Sequence, residues 1–150
     1  MIRLQEVTCS DWYACAKLEV MEEQRGVSPA PVVYWLAESR LEKHLVPLAV
    51  YLQASLIGFA VYSAKPDEQG RYWIMGLMIG RRHQRRGYGK AALAELVSLL
   101  SETYGARAIA IGHCENNTAA AKLYEAAGFR EVSAEDGEIV RCLEVPVTSA

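Results

Sequence analysis

No stretch of this sequence approaches the ~18 consecutive apolar residues of a membrane-spanning helix, and its polar start, MIRLQEVTCSDW, lacks a signal-peptide core. These absences predict a cytoplasmic chain with no membrane association. There is no excess of positive charge either. Sixteen basic residues against 18 acidic ones give a net charge of −2, which argues against the strong positive field of a general nucleic-acid binder. Cysteine is sparse and scattered: Cys9, Cys15, Cys114 and Cys142 include no CxxC pair. That excludes the usual signatures of a zinc site or a disulfide framework and predicts reduced thiols, mostly buried, with no metal. No internal repeat, low-complexity tract or linker divides the chain. Its 150 residues, 51% of them hydrophobic, are therefore expected to form one domain around one core.

Turning to what is present, Thr8 and Asp11 have capping-box spacing ahead of WYACAKLEV, which predicts a first helix running on toward the acidic MEEQ. VSPAP breaks it. Val33, Leu36, Ala37 and Leu41 then fall at i, i+3, i+4 and i+8, giving a second helix one apolar stripe. VPLAVYL (46–52) and LIGFAVYS (56–63), joined by a short polar link, predict an antiparallel hairpin. RYWIMGLMIG (71–80) is nearly continuously apolar, as a central strand is, and Gly76 inside it predicts a bulge. Leu93, Leu96, Val97, Leu100 and Tyr104 repeat at helical spacing up to Gly105. A strand at ARAIAIG (106–112), a short helix at NNTAAAKLYEAAG (116–128) and a last strand at GEIVRCLEV (137–145) follow. The expected fold is a single α/β domain spanning residues 1–150. It has a mixed, mostly antiparallel central sheet flanked by helices and a strand–helix–strand crossover between residues 71 and 112.

The stretch HQRRGYGKAAL (83–93) lies where a strand gives way to a helix. The first helical N–H groups have no intrahelical acceptor and the helix dipole adds partial positive charge, so a glycine turn there suits a phosphate. It is neither a Walker loop, which needs GxxxxGK followed by Ser or Thr, nor a Rossmann fingerprint, which needs a third glycine. Taken alone it reads equally well as a tight turn with solvated arginines.

Its context separates the two readings. Gln84, Gly87 and Gly89 form QxxGxG after the strand LMI. Some 28 residues on, Asn117, Ala120, Leu123, Tyr124, Gly128 and Phe129 form NxxAxxLYxxxGF. These motifs, in this order, resemble the GNAT family of N-acetyltransferases. LAVY, IGFAVYSAKPDEQGRYWI, LYEAAGF, DGEIV and, near the amino end, Trp12, Cys15, Leu18, Glu23 and Gln24 are similar to its spermine/spermidine acetyltransferase branch. The resemblance implies central strands that splay around the pantetheine of acetyl-CoA, with the pyrophosphate on the turn formed by Gln84, Arg85, Arg86, Gly87, Tyr88, Gly89 and Lys90. It also implies that strand amides at Leu77, Met78 and Ile79 hold pantetheine and the thioester oxygen. Tyr124 would be the general acid for the departing thiolate, with Asn117 and Ala120 beside the coenzyme. Where related sequences carry Trp and Arg in the central strand, this one has Met75 and Gly76, implying a wider and less charged acceptor side.

The remaining charged residues fit this picture in outline. Arg81, Arg82, Arg85, Arg86 and Lys90 form a dense basic cluster that the pyrophosphate and 3′-phosphate of CoA explain, and His83 is expected to line the phosphate turn. For the general base, Glu22, Glu23, His113 and an ordered water stay open. Glu19, Glu22, Glu23, Glu38 and Glu42 are either solvated helix faces or attractors of a cationic substrate, Glu22 and Glu23 being the substrate candidates. The expected function is acetyl-CoA-dependent acetylation of a primary amine of a small molecule such as spermidine or spermine. The alternatives are a protein N-terminal or lysine acetyltransferase and a non-catalytic acyl-CoA-binding regulatory module. The family resemblance further implies a homodimer, in which the closing strand would pair across the interface.

Overall fold

A computed structural model describes residues 1–19 and 31–146. In chain order the elements are β1 (Ile2–Glu6), α1 (Trp12–Ala16), α2 (Val32–Leu41), β2 (Leu45–Leu52), β3 (Ser55–Ser63) and β4 (Tyr72–Ile79). Then come α3 (Tyr88–Tyr104), β5 (Ala108–Cys114), α4 (Thr118–Ala126), β6 (Arg130–Glu135) and β7 (Glu138–Glu144). The strands form one sheet in the order β1-β2-β3-β4-β5-β7-β6. All neighbours are antiparallel except β4 and β5, which run parallel because α3 crosses over between them. The apolar strand β4 is central, as its composition predicts.

Two helical layers cover the sheet. Leu93, Leu96 and Leu100 of α3 are fully buried against Ile74, Ile109, Ile111 and Phe129, each such side chain contributing roughly 1.5–3 kcal/mol. On the opposite face α1 and α2 bring Cys15 and Val32 against Ala49, Phe59 and Val61. The predicted bulge is present: Val61 pairs with Gly76 and Tyr62 with Ile74, leaving Met75 as the extra residue.

Several expectations need correction. The first helix ends at Ala16, short of Leu18 and Glu19, and the MEEQ stretch toward which it was expected to run lies outside the described residues. Beyond Lys17 the chain is drawn to the end of β4: the Arg81 amide donates to the Glu19 carbonyl (2.6 Å), and Leu18 reaches Gly80. Of the proposed capping box only the returning half forms, with Asp11 Oδ1 accepting from the Thr8 amide at 2.7 Å. Asp11 Oδ2 accepts from the Tyr51 hydroxyl at 2.9 Å, which ties the short helix to β2. In α2 the inward residues are Val32, Trp35, Leu36 and Ser39, whereas Val33 and Leu41 are 49% and 82% exposed. The apolar stripe is thus turned from the predicted one because Trp35 packs over Gly76. The thiols are not mostly buried, since only Cys15 is, and Cys9 and Cys114 are exposed. Nor is the closing strand a free edge. β7 pairs with β5 on one side and β6 on the other, and β6, like β1, is an element the sequence pattern does not reveal.

Candidate active site

Strands β4 and β5 pair only through Tyr72–Ile74 against Ile109–Ile111. Beyond Ile74 they separate, and a cleft of about 940 Å³ opens between them, floored by Met75–Ile79 on one side and Gly112–Cys114 on the other. On its far edge β4 stays fully paired, Leu77 with Ala60, Met78 with Phe59 and Ile79 with Gly58. Because strand backbone groups alternate between edges, those of Leu77 and Ile79 face the cleft, where a ligand with peptide-like amides can pair with them, whereas those of Met78, expected from the sequence to share this role, are spent on Phe59 of β3.

At one end of the cleft lies the glycine turn. Gln84 Nε2 donates to the Ile79 carbonyl at 2.7 Å, fastening the turn to the end of β4. Gly87 takes φ +82°, which lets the chain swing into α3 without strain. The first helical bond runs from the Ala91 amide to the Gly87 carbonyl, so the amides of Tyr88, Gly89 and Lys90 have no acceptor within the helix and no side chain caps them. Arg85 and Lys90 are the members of the basic cluster that line the cleft, together with Gln84, Gly87 and Gly89. Arg86 is exposed, and the Tyr88 ring is turned away toward Ile2, Val50, Ile57 and Ala92. His83 sits behind the turn, its ring 6.4 Å from that of Tyr88.

Tyr124 comes from α4 on the α3 side of the sheet. The residue is 7% exposed and borders the cleft. Burial pushes its phenol up to about 12, and no hydrogen bond contributes to that shift. The hydroxyl is accordingly protonated at neutral pH and available to a ligand. Asn117 begins the same helix, its Oδ1 accepting from the Ala120 amide at 3.1 Å. This capping bond fixes the start of α4, and Asn117 and Ala120 both line the cleft. His113 is buried beside Tyr124 with ring centroids 5.8 Å apart. Its Nδ1 donates to the Cys114 carbonyl at 2.8 Å, and its Nε2 accepts from Arg141 Nε at 3.1 Å. Both ring nitrogens are thus engaged, which is the arrangement of a structural histidine.

The other wall belongs to the α1–α2 face. Trp35, Val32, Phe59, Met75 and Met78 make it largely apolar. The room left by Gly76 is not open: a Cβ there would stand 3.5 Å from the Trp35 indole. The expected widening is therefore filled by a side chain from α2. Trp73 is held from below, its Nε1 donating to Asp67 Oδ2 at 2.8 Å, the oxygen that also accepts from Arg71 Nε at 2.9 Å. The acidic residues lining the cleft, among those described, are Glu19 and Glu138, and Glu19 faces Arg81 at 3.5 Å. Glu22 and Glu23 lie outside the described residues. Trp35 and Glu138 are cleft residues that sequence reasoning missed. Trp35 sits in no motif, and Glu138, though within DGEIV, carries no spacing signal of a site; only tertiary packing brings them in.

A notch between diverging strands, with a helix N-terminus at one end and a protonated phenol at its side, suits a thioester cosubstrate carrying phosphates. The model of the Acetyltransferase (GNAT) family matches residues 7–129. The chain is 30% identical over 134 residues to the spermine/spermidine N(1)-acetyltransferase of Bacillus subtilis (strain 168), covering 86% of this chain and 88% of that one. Among solved structures it is similar to spermidine N-acetyltransferase from Vibrio cholerae in complex with CoA and spermine, with TM-score 0.73 and 15% identity over 94% of this chain and 92% of that one. The PaiA N-acetyltransferase from Thermoplasma acidophilum, in complex with coenzyme A, gives TM-score 0.74 and 12% identity over 97% and 99%. The chain belongs to the GNAT acetyltransferase family: it is an acyltransferase whose cosubstrate is acetyl-CoA.

Proposed function

We propose that this enzyme acetylates a primary amine of a polyamine. The observation that carries the reading is the notch itself: a buried, protonated phenol on one side and, on the other, an apolar and aromatic wall with carboxylates at its margin, suited to an alkyl chain bearing ammonium groups. The likeness to polyamine acetyltransferases supports the same choice.

In this reading the pyrophosphate rests on the amides of Tyr88–Lys90 with Arg85 and Lys90 alongside, and Gln84 and Asn117 keep the two helix starts in place. Pantetheine extends along Leu77, Met78 and Ile79, and the cleft-facing amides of Leu77 and Ile79 also polarise the thioester carbonyl. The neutral amine attacks the carbonyl carbon, the C–S bond breaks, and Tyr124 gives its proton to the departing thiolate. Cytoplasmic supply of acetyl-CoA supports a cytoplasmic enzyme. In the homodimer we infer, a strand-edge contact would use β6, the sheet edge beside β7.

The test is a panel of amines assayed by CoA thiol release. Spermidine or spermine should turn over, with a polyamine KM that rises with ionic strength as attraction is screened. Turnover of peptides but of no polyamine would transfer the reading to a protein acetyltransferase, and no turnover of any amine would reject it.

A further inference from the structure

The acceptor amine needs a group to take its proton; of the side chains the sequence offers for this, Glu22 and Glu23 lie outside the described residues, which leaves His113, and the cleft itself adds the carboxylates of Glu19 and Glu138. His113 has both ring nitrogens engaged, and Glu19 pairs with Arg81. We propose that Glu138 is the carboxylate that receives the acceptor ammonium and removes its proton, a proposal that rests on the amine-acetyltransferase reading above.

The geometry comes from the far strand of the notch. Glu138 opens β7 and pairs with Cys114, the last residue of β5. Its side chain is laid across β5 at the point of divergence: Oε1 lies 2.6 Å, and the carboxyl carbon 3.6 Å, from where a Cβ on Gly112 would stand. Any other residue at 112 would occupy the carboxylate's place, so Gly112 is the vacancy that admits Glu138. Alternation along the paired strands puts Gly112, Cys114 and Glu138 on one face of the sheet and His113 on the other, beside Tyr124. The carboxylate and the phenol therefore flank the notch from opposite faces. An amine approaching from the Glu138 side attacks the carbonyl while the thiolate leaves toward Tyr124.

Glu138 has no ion pair or side-chain hydrogen bond among the described residues, and it is exposed, so a proton it accepts passes readily to water. It also borders a small pocket on the β6–β7 hairpin beside Glu135 and Asp136, through which a second ammonium of the same substrate would meet negative charge. The proton count closes. The ammonium gives one proton to Glu138, which releases it to solvent, and the nitrogen lone pair forms the C–N bond as the C–S bond breaks. Tyr124 protonates the thiolate, and the second proton lost from nitrogen as the amide forms restores the phenol. The products are the N-acetylamine, CoA thiol and one proton.

The test uses the full chain with spermidine and acetyl-CoA under conditions where chemistry limits turnover. Glu138→Gln should lower kcat/KM for the amine about 10²-fold or more, with acetyl-CoA affinity unchanged within a few-fold. Gly112→Ala should fold normally, since only the tip of a flexible side chain must move, yet lose activity toward the Glu138→Gln level, and the double variant should be little worse than either. Gly112→Asp combined with Glu138→Ala, which returns a carboxylate beside the vacated space from the other strand, should recover at least tenfold over Glu138→Ala alone, and formate added to Glu138→Ala should recover part of the loss. Activity of Glu138→Gln within threefold of wild type, or full activity of Gly112→Ala, would overturn the assignment while leaving amine acetylation intact. A wild type that acetylates no amine would instead reject the function on which it rests.

Discussion

The two sides of the notch are made of different materials. The side we assign to the coenzyme consists largely of main chain: three amides at the start of α3, the cleft-facing edge of β4 and a glycine turn fastened by Gln84. The side we assign to the acceptor consists of side chains, with Trp35 from α2, Met75 and Met78 from β4 and Glu138 from β7 lining it. A backbone site needs only the right local conformation and is written in a few adjacent residues, whereas a side-chain site depends on identity at positions scattered through the chain. Substitutions should therefore separate cleanly. Those at the turn should act on acetyl-CoA, those on the opposite wall on the amine, and Tyr124, which belongs to neither, on the chemical step alone.

That last case carries the largest effect. Tyr124→Phe keeps the buried ring against His113 and Phe129 but removes the phenolic proton. We expect kcat to fall by about 10² to 10⁴ while acetyl-CoA affinity stays within a few-fold. Single-turnover kinetics alongside calorimetric titration with CoA would check it, and unchanged turnover with chemistry limiting would remove Tyr124 from the mechanism.

Gly87→Val tests the coenzyme side. At φ +82° a β-branched residue strains the turn by roughly 1–3 kcal/mol, although a Cβ there meets no neighbour within 4 Å. The strain is relieved by shifting the amides that follow, so CoA binding should weaken about tenfold or more with the amine KM little changed. Equal weakening toward both substrates would break the division between the two sides.

How far each side was legible follows from the same difference. The central place of β4, the bulge at Met75, the crossover through α3 and the convergence of Gln84, Gly87, Gly89, Asn117 and Tyr124 on one cleft are all readable, because periodicity and short motifs report local conformation directly. β1 and β6 were not. Ile2–Glu6 is too short for its alternation to stand out, and every residue of Arg130–Glu135 is exposed, so β6 has no inward apolar set to reveal it. The orientation of α2 was misread because Val33, Leu36, Ala37 and Leu41 make a plausible stripe in isolation, and only the space above Gly76 makes Trp35 the inward residue. Glu138 and Gly112 are 26 residues apart, and nothing in either local sequence announces that one fits over the other.

Trp35→Ala sharpens the comparison from the acceptor side. Removing the indole uncovers β4 at Gly76 and leaves the coenzyme edge untouched. The loss of an aromatic surface for a cationic alkyl chain is worth about 0.5–2 kcal/mol, so the polyamine KM should rise several-fold with acetyl-CoA KM constant. A shorter uncharged-tail amine should be affected less, and a uniform change across amines would reassign Trp35 to packing alone.

The smallest effect is expected at the foot of that wall. Burial favours the neutral acid form of Asp67, but hydrogen bonds from Trp73 Nε1, from the Arg71 amide and guanidinium and from the Gln69 amide outweigh it and hold the carboxyl down to about 2, against an ordinary 3.8. A group whose folded-state pKa is depressed contributes stability that is present above its ordinary value and is lost as pH falls through the folded one. Wild-type stability should therefore decline between about pH 4 and pH 2 in part through Asp67, and Asp67→Asn should lack that part of the decline. At neutral pH the variant loses charge-assisted bonds to Arg71 and Trp73 that are partly open to solvent, so the melting temperature should drop only a few degrees, roughly 2–4 °C for each kcal/mol in a domain of this size. Because Trp73 borders the cleft, its release should also raise the amine KM slightly and leave acetyl-CoA affinity alone. Thermal melts of both proteins across that acidic window, with amine and acetyl-CoA KM measured at neutral pH, decide the matter. Parallel pH profiles for wild type and Asp67→Asn would show that this carboxylate does not anchor Trp73.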